Sequence, residues 1–171
     1  AADESMTDPV VNLLGLPRRE LEAFFVGVGE KPFRARQLMK WLYGHGVLDP
    51  AQMTDLSVGL RQELAARALI ALPAITAMQE SADGTVKWRL DASGGQAIET
   101  VFIPEPGRGT LCVSSQVGCA MDCSFCATGH QGFNRNLGAA EIIAQVALAR
   151  RELGDPDGRS PITNVVFMGM G

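Results

Sequence analysis

The sequence has few thiols, few imidazoles and no long apolar run, and each shortage excludes a class of protein. It contains four cysteines and two histidines among 171 residues. No apolar stretch approaches the roughly 20 residues that cross a bilayer. The acidic start AADESMTDPVV lacks the basic and apolar regions of a secretory signal. Disulfide stapling is therefore not expected, and clustered thiols indicate metal or redox chemistry in a cytoplasmic protein without a membrane partner.

The chain also lacks the excess of positive charge that is typical of nucleic-acid-binding domains. Its formal net charge is −4 and its pI is about 5.2, so composition alone does not indicate a nucleic-acid partner. One segment differs, because EKPFRARQLMK carries Lys31, Arg34, Arg36 and Lys40 against the single acid Glu30. A local basic face of this kind can bind phosphates. A solvated helix face is the alternative interpretation.

Short helices are predicted over the first 73 residues. Pro17 suits the start of a helix through RRELEAFFVGVG, and PFRARQLMKWLYGHG predicts a second helix that Gly44 or Gly46 ends. Further helices are predicted in DPAQMTD, with Asp49 as N-cap, and in SVGLRQELAARALIAL. Their short, glycine-containing connections predict a small helical bundle.

Residues 74–108 are predicted to form strands. TVKWRL alternates apolar and polar side chains, and SADG before it and DASGG after it are typical turn sequences. QAIETVFIP predicts a following strand that Pro104 and Pro106 stop. The segment therefore predicts an antiparallel β connector.

From about residue 109 the pattern changes to strand, loop, helix and strand. TLCVSS and PITNVVFMGMG predict two strands, the second of them buried, and a helix is predicted from Leu137 to Leu153 with Asn136 as N-cap. The predicted apolar stripe of this helix is Ile142, Ile143, Val146 and Ala147. This βαβ order predicts a parallel sheet, the start of an α/β partial barrel. One helix and two strands cannot bury both faces of such a sheet, so the sequence is predicted to be a fragment of a longer protein.

Three cysteines lie within CAMDCSFC, at positions 119, 123 and 126. A structural zinc site needs four ligands, and the nearby candidates for a fourth are His130 and Cys112, so a Cys3His zinc site stays an alternative. Three thiolates alone favour a [4Fe–4S] cluster whose fourth iron is open to a substrate. The loop follows a strand and precedes a helix, the position of reactive loops in α/β barrels.

The spacing C-x3-C-x2-C, with Phe125 directly before the last cysteine, resembles the signature of the radical S-adenosylmethionine superfamily. The resemblance implies that Cys119, Cys123 and Cys126 bind a [4Fe–4S] cluster and that S-adenosyl-L-methionine binds its open iron. One electron then cleaves this cofactor to a 5′-deoxyadenosyl radical. Phe125 is expected near the adenine of the cofactor, with a place in the hydrophobic core as the alternative.

Two longer segments, TLCVSSQVGCAMDCSFCATGHQGFNRNL and PITNVVFMGMG, resemble the RlmN family of adenine-C2 methyltransferases, which modify 23S ribosomal RNA and transfer RNA. PFRARQLMKWLY resembles the helical RNA-binding accessory domain of that family, and IETVFIP its connecting strand. The resemblance implies an accessory domain over residues 1–73, a connector over 74–108 and the start of the barrel over 109–171. C8-methylating resistance enzymes and a non-catalytic metal-containing RNA-binding module are the alternatives.

The family resemblance also implies roles for single residues. Cys112 matches a resolving cysteine that forms a transient disulfide with a methyl-carrying cysteine, and no cysteine follows Cys126 in this sequence. Glu99 matches a glutamate that accepts the adenine proton, a role for which Cys112 competes. Gly169 and Gly171 match a segment that contacts S-adenosylmethionine. From the residues alone, Cys112 could be a small buried hydrophobe, Glu99 an outward-facing strand residue, and the glycines part of an ordinary turn.

The same resemblance implies partners and a state of activity. The expected substrates are 23S rRNA and tRNA, and the expected electron donor is a protein such as flavodoxin. The protein is expected to be a monomer. The isolated chain is expected to be inactive, because it lacks the methyl-carrying cysteine and most of the barrel.

Overall fold

The computed structural model describes residues 10–92, 94–121, 123–127, 129–155 and 159–171. The chain divides into two compact units, residues 1–71 and 72–171. Within the described ranges, every helix is too short or too polar to cross a membrane.

Helices dominate the first unit, as predicted. They are α1 (Arg18–Gly27), α2 (Arg34–Met39) and α3 (Val58–Arg67), with a short 3₁₀ turn at Pro50–Gln52. A wider π-helical segment, Lys40–His45, continues α2 until Gly46, whose left-handed φ of 67° ends it. The Asp49 side chain accepts a hydrogen bond from the amide of Ala51 at 2.9 Å, which confirms it as an N-cap.

A short parallel strand pair completes this unit and was not predicted. β1 (Val11–Asn12) pairs with β2 (Ala68–Leu69). The helix predicted to reach Leu72 ends at Arg67, because Ala68 is extended and joins the strand pair. The helices bury a shared apolar cluster of Leu13, Leu21, Phe25, Ala35, Leu38, Leu42, Met53, Leu56, Leu60 and Leu64.

The second unit is built on a five-stranded sheet of order β3-β4-β5-β6-β9. The strands are β3 (Ile75–Glu80), β4 (Val86–Asp91), β5 (Ala97–Glu105), β6 (Arg108–Cys112) and β9 (Asn164–Val166). Neighbours from β3 to β6 are antiparallel, whereas β9 runs parallel to β6. A separate hairpin of β7 (Gln116–Gly118) and β8 (Phe133–Asn136) precedes α4 (Ala139–Leu153).

Two strand predictions need correction. β3 was not predicted, because five of its six residues are exposed and it lacks the apolar alternation that marks a strand. β5 continues through Pro104 and ends at Glu105, so Pro106 marks its end as predicted but Pro104 does not stop it. β4 pairs with β5 only as far as Phe102, and Pro104 therefore lies where its missing N–H removes no hydrogen bond to β4.

The helix and strand that follow the cysteine loop also differ from prediction. Gly138, not Asn136, is the N-cap of α4, because Asn136 pairs with Gln116 in the hairpin. The buried face of α4 consists of Ala144, Gln145, Leu148 and Ala149, and the predicted stripe is half-buried. β9 is three residues long and not buried: it forms an edge of the described sheet, and Val165 and Phe167 are exposed.

The α+β class and the parallel β6–α4–β9 unit are confirmed. Val86, Trp88 and Leu90 of β4 alternate into the core as predicted, where they meet Leu148 and Ala149 of α4. The strands expected for the connector share one sheet with the first parallel strand. The division into 74–108 and 109–171 therefore stays a prediction.

Candidate functional site

The three clustered cysteines lie in a loop, residues 119–132, that the β7–β8 hairpin closes. Gly118 has a left-handed φ of +73°, and the next amide, that of Cys119, donates to the carbonyl of Gly132 at 3.1 Å. Cys119, Cys123 and Cys126 are half-buried thiols. The sequence alone did not reveal this hairpin, which gives the cysteine loop a fixed base.

Hydrogen bonds order both sides of the loop. The Gln116 side chain accepts from the Ala120 amide at 3.2 Å and donates to the Asn136 side chain at 3.2 Å. The amide of Met121 donates to the Cys119 sulfur at 3.5 Å. The amide of Cys126 donates to the carbonyl of Cys123 at 3.0 Å, which makes a tight turn between the last two cysteines.

The donor set of this loop fits an iron–sulfur cluster in its chemistry. Thiolates are the ligands that select such clusters. Over the described ranges no group of three or more His, Cys, Asp or Glu side chains converges to hold a metal ion. The thiols would therefore have to turn toward one another, which a surface loop with a fixed base permits.

Phe125 and His130 are both exposed members of the loop. Phe125 is 91% exposed, so it is not a core residue. His130 lies in a short 3₁₀ turn, Gly129–Gln131, where its amide donates to the carbonyl of Cys126 at 3.4 Å. The structure brings no zinc-type ligand group together here among the side chains that it describes.

Cys112 and Glu99 lie on the same face of the sheet. Cys112 ends β6 opposite Val101 of β5, and Glu99 is two residues from Val101 along β5. Directly opposite residues and those two apart share a face. The other face of β5 packs in the core against α4, so these two candidates point away from that helix. Tertiary structure thus makes diagonal neighbours of two residues that are 13 positions apart.

The environments of these two candidates differ. Burial raises the pKa of the Cys112 thiol above its ordinary value, so the thiol is protonated near neutral pH and needs a base before it can act as a nucleophile. The Glu99 carboxylate forms an ion pair with Lys87 of β4, with 3.2 Å between Oε1 and Nζ. This side chain is about a third exposed, at 37%, which leaves it accessible from outside the core.

Gly169 and Gly171 approach the chain segment that follows β6. A Cβ on Gly169 would lie 2.7 Å from the Ser114 hydroxyl and 2.9 Å from the Val113 carbonyl. At Gly171, φ is +114°, and a Cβ would lie 2.5 Å from the Ser115 hydroxyl. Close approach of two backbone segments explains both glycines, and a role in cofactor binding stays a prediction.

An ion pair between Arg135 of β8 and Glu141 of α4 attaches the hairpin to the helix, and sequence reasoning missed it. The guanidinium donates to both carboxylate oxygens at 2.9 and 2.7 Å, and to the carbonyl of Ala92 at 2.6 Å. Glu141 also accepts from the Gly138 amide at 2.8 Å. The hydrogen bonds from Arg135 lower the pKa of Glu141. The sequence offered one sign of this ion pair, namely that Arg135 and Glu141 carry opposite charges on either side of the predicted start of the helix.

The Arg135–Glu141 pair predicts a loss of stability in acid. Because the Glu141 pKa is lowered in the folded state, its contribution is complete above the ordinary glutamate pKa of about 4.3 and is lost as the pH falls through the lowered value. Both side chains are about one-third exposed, at 34% and 35%, so we expect at most about 1 kcal/mol.

Urea unfolding at pH 6.5 and pH 3 measures this contribution. Glu141→Gln should destabilise the protein at pH 6.5 and have a smaller effect at pH 3. Glu105→Gln is the matched control, because Glu105 forms an exposed pair with Arg108 and contacts neither the hairpin nor α4. An equal effect of Glu141→Gln at both pH values would contradict the assignment.

The basic segment of the first unit is partly neutralised. Arg34 pairs with Glu30 at 3.2 Å and lies 4.9 Å from the centre of the Phe33 ring. Lys31, Arg36 and Lys40 are exposed, and Arg36 and Lys40 are four positions apart along a helix, which places them on one side.

Comparison with known proteins gives similarities over almost the whole chain. Residues 11–70 match the family described as the ribosomal RNA large subunit methyltransferase N-terminal domain. The dual-specificity RNA methyltransferase RlmN of Francisella tularensis subsp. novicida (strain U112) is 55% identical over 97% of this chain. That of subsp. holarctica (strain LVS) is 54% identical over the same share. The chain spans 45% of the length of each of these relatives.

The crystal structure of a radical SAM methyltransferase from Sphaerobacter thermophilus matches 94% of this chain and 47% of its own, with 44% identity and a TM-score of 0.81. In fold and sequence, including the cysteine loop, the chain is thus similar to a radical S-adenosylmethionine methyltransferase. Its similarity to the RlmN proteins extends from the helices of the first unit to the cysteine loop and β9. That enzyme class implies S-adenosylmethionine and a [4Fe–4S] cluster.

Proposed function

We propose that this chain supplies the accessory domain and the cluster-binding part of an enzyme that methylates adenine C2 in 23S rRNA and tRNA through a methyl-cysteine intermediate. One observation carries the proposal: an RlmN-like chain holds three thiols in a loop that the β7–β8 hairpin closes, seven residues after Cys112 of β6. Similarity to RlmN proteins over 97% of the chain favours this reaction over that of the C8-methylating relatives. We assign residues 1–73 to RNA binding, 74–108 to the connector and 109–171 to the start of the barrel.

In this proposal Cys119, Cys123 and Cys126 would hold the cluster, which when bound would supply the electron needed to cleave S-adenosylmethionine. The three thiols are half-buried, and the base of their loop is fixed by the hydrogen bond from the Cys119 amide to the Gly132 carbonyl. Phe125 is exposed on the same loop, where its ring can cover the adenine of the cofactor. Gly169 and Gly171 lie against the segment after β6, so their backbone would border the cofactor.

Cys112 and Glu99 act on the substrate side in this proposal. Adenine C2 must lose a proton after the methylene group adds, and the Glu99 carboxylate is the proposed acceptor. Its ion pair with Lys87 restrains its position. Cys112 is the proposed resolving thiol. Its deprotonated sulfur bonds to the sulfur of the methyl-carrying cysteine while the bond from that sulfur to the methylene carbon breaks, and the carbon keeps the electron pair, takes up a proton and leaves as the product methyl group. The burial that raises its pKa keeps this thiol protonated until a base approaches.

The substrate class is supported by the first unit. Lys31, Arg36 and Lys40 present exposed ammonium and guanidinium groups, and such groups bind RNA phosphates. Phe33 is 42% exposed beside them, and an exposed aromatic ring can stack on an unpaired base. We further propose a cytoplasmic monomer that receives electrons from a protein such as flavodoxin.

Anaerobic reconstitution with iron and sulfide tests the proposal. The chain should take up about four irons and four sulfides, with a charge-transfer absorption that bleaches on reduction. Cys123→Ser should abolish most of this uptake, because two thiolates cannot hold the cluster. Cys112→Ser is the control and should bind iron normally, since Cys112 lies on β6 outside the loop. Stoichiometric zinc with no iron would instead support a non-catalytic RNA-binding module.

A further inference from the structure

A single buried glutamine, Gln145, connects three segments of the second unit. It lies on the core face of α4 and is 0% exposed. Its Oε1 accepts from the Thr100 hydroxyl and from the Ser114 amide, both at 2.8 Å. Its Nε2 donates to the Ser114 carbonyl at 2.8 Å and to the Glu141 carbonyl at 3.3 Å. The amide group of Gln145 therefore has partners for its oxygen and for both hydrogens.

Ser114 extends this network to the proposed catalytic elements. Its hydroxyl donates to the backbone carbonyl of Glu99 at 2.6 Å and accepts from the Met170 amide at 3.0 Å. The Met170 carbonyl accepts in turn from the amides of Ser115 and Gln116. Ser114 lies two residues after Cys112 and is itself 0% exposed. Ser114 thus bonds the backbone of Glu99 and of Met170, and it follows Cys112 closely along the chain.

Packing alone does not account for a glutamine at this position. The neighbouring buried residues of α4 are Ala144, Leu148 and Ala149, and an apolar side chain of similar volume would fill the space. Burying an amide is unfavourable unless all its hydrogen bonds form. Gln145 holds both the N–H and the C=O of Ser114, beyond the end of the β6 ladder. A fully satisfied network of this kind selects one backbone conformation.

We propose that Gln145 is a positioning residue, which through Ser114 fixes the relative placement of Cys112, Glu99 and the 169–171 turn. The chemical importance of those three elements rests on the proposed function, whereas the network itself does not. Gln145 contacts no reacting atom in this scheme, and its effect is to restrain the backbone between the end of β6 and the glycines that follow β9.

Hydrogen exchange of the cluster-free chain, followed by mass spectrometry, tests the proposal. Gln145→Met should raise exchange about tenfold at the amides of residues 114–116 and of Met170, the scale of one or two net hydrogen bonds. Amides in the β3–β4 ladder and in α1 should keep their rates. In the same variant, alkylation of Cys112 should be several-fold faster, measured on its own peptide.

Three further variants should give residue-specific changes in exchange that a general loss of stability would not produce. Ser114→Ala should raise exchange at Met170 but not at residue 114, because the backbone bonds to Gln145 remain. Thr100→Val is the matched control: it removes a hydrogen bond to the same Oε1 without contacting Ser114, and it should leave residues 114–116 and Met170 protected. Gln145→Glu should restore most of the protection, since a buried carboxyl is protonated and keeps both an acceptor and a donor.

A uniform rise of exchange across the second unit in Gln145→Met, or unchanged rates at residues 114–116, would overturn the positioning role. If Gln145→Met does not fold, the test is the difference in exchange at the Met170 amide between Ser114→Ala and Thr100→Val. Equal exchange at Met170 in these two variants would overturn the proposal. The measurement uses no cluster and no substrate. Failure of iron uptake would therefore contradict the proposed function, whereas the exchange result on Gln145 would still stand.

Discussion

Replacing Gly118 with alanine should open the β7–β8 hairpin and cost about 3 kcal/mol or more locally. A non-glycine residue at its φ of +73° is strained by about 1–2 kcal/mol. In addition, the new methyl group would overlap the backbone carbonyl oxygen of Gly132. That carbonyl accepts from the Cys119 amide, so it cannot move away without losing a hydrogen bond worth about 1 kcal/mol.

Gly132→Ala is the matched control for this prediction. Gly132 lies on the other side of the hairpin with a similar φ of +72°, but a Cβ there meets nothing within 4 Å. It should therefore show only the conformational strain of about 1–2 kcal/mol. Exchange of the Cys119 amide and protease sensitivity of residues 119–132 measure local opening, and iron uptake measures its consequence. Equal effects of the two substitutions would show that the contact with Gly132 is unimportant.

Gly109→Ala should have the second large effect, about 3 kcal/mol on the second unit. A Cβ on Gly109 would overlap the carbonyl oxygen of Pro161 and lie 2.8 Å from the Phe102 ring. The surrounding backbone cannot easily retreat, because Gly109 exchanges hydrogen bonds with Thr163 at 2.9 and 3.0 Å. Overpacking against fixed backbone typically costs 1–3 kcal/mol and occasionally more.

Urea unfolding, with tryptophan fluorescence from the buried Trp88 as one probe, measures this loss. Gly107→Ala is the control: Gly107 precedes β6 with a φ of +73° and open space around its Cα, so it should cost about 1–2 kcal/mol from strain alone. A Gly109→Ala variant as stable as Gly107→Ala would contradict the steric argument. Because β6 carries Cys112, the larger loss should also accelerate Cys112 alkylation.

Gly109 and Gly118 lie on either side of Cys112 along the chain, one in β6 and one at the end of β7. At each of them a neighbouring backbone carbonyl, that of Pro161 or that of Gly132, lies where a side chain would have to fit. The cysteine motif supplies the chemical groups. The backbone around it is held in place by these close contacts, by the Arg135–Glu141 pair and by Gln145. Neither glycine belongs to C-x3-C-x2-C, so the motif alone gives no reason to examine them.

Local features were predictable because their causes are local. Asp49 caps a turn through its own side chain, and the alternation of Val86, Trp88 and Leu90 identifies the buried face of β4. Gly46, in the left-handed conformation, ends the helical segment that directly precedes it. The cysteine spacing likewise needs no fold to indicate thiolate chemistry. Each of these depends on residues within a few positions of one another.

Features that depend on distant partners were not predictable in this way. The stripe predicted on α4 is not the face that the sheet covers. Apolar side chains occur on more than one side of this helix, so its sequence does not identify the buried face. Contacts with Thr100 of β5 and with Ser114 place Gln145 on that face. The end of α3 is decided by pairing of β2 with β1, more than 50 residues earlier in the chain. Asn136 has the side chain of a helix cap but pairs in the hairpin instead.

The sequence by itself determined the α+β class, the parallel unit around the cysteine loop, and the resemblance that names the chemistry of Cys119, Cys123 and Cys126. Only the tertiary structure decided that Cys112 and Glu99 share a sheet face, that Gly118 closes the loop against Gly132, and that Gln145 holds Ser114. The physical reason is the range of the interactions. Propensity, capping and periodicity act within a turn or a strand, whereas register and buried hydrogen bonds depend on which distant segments meet.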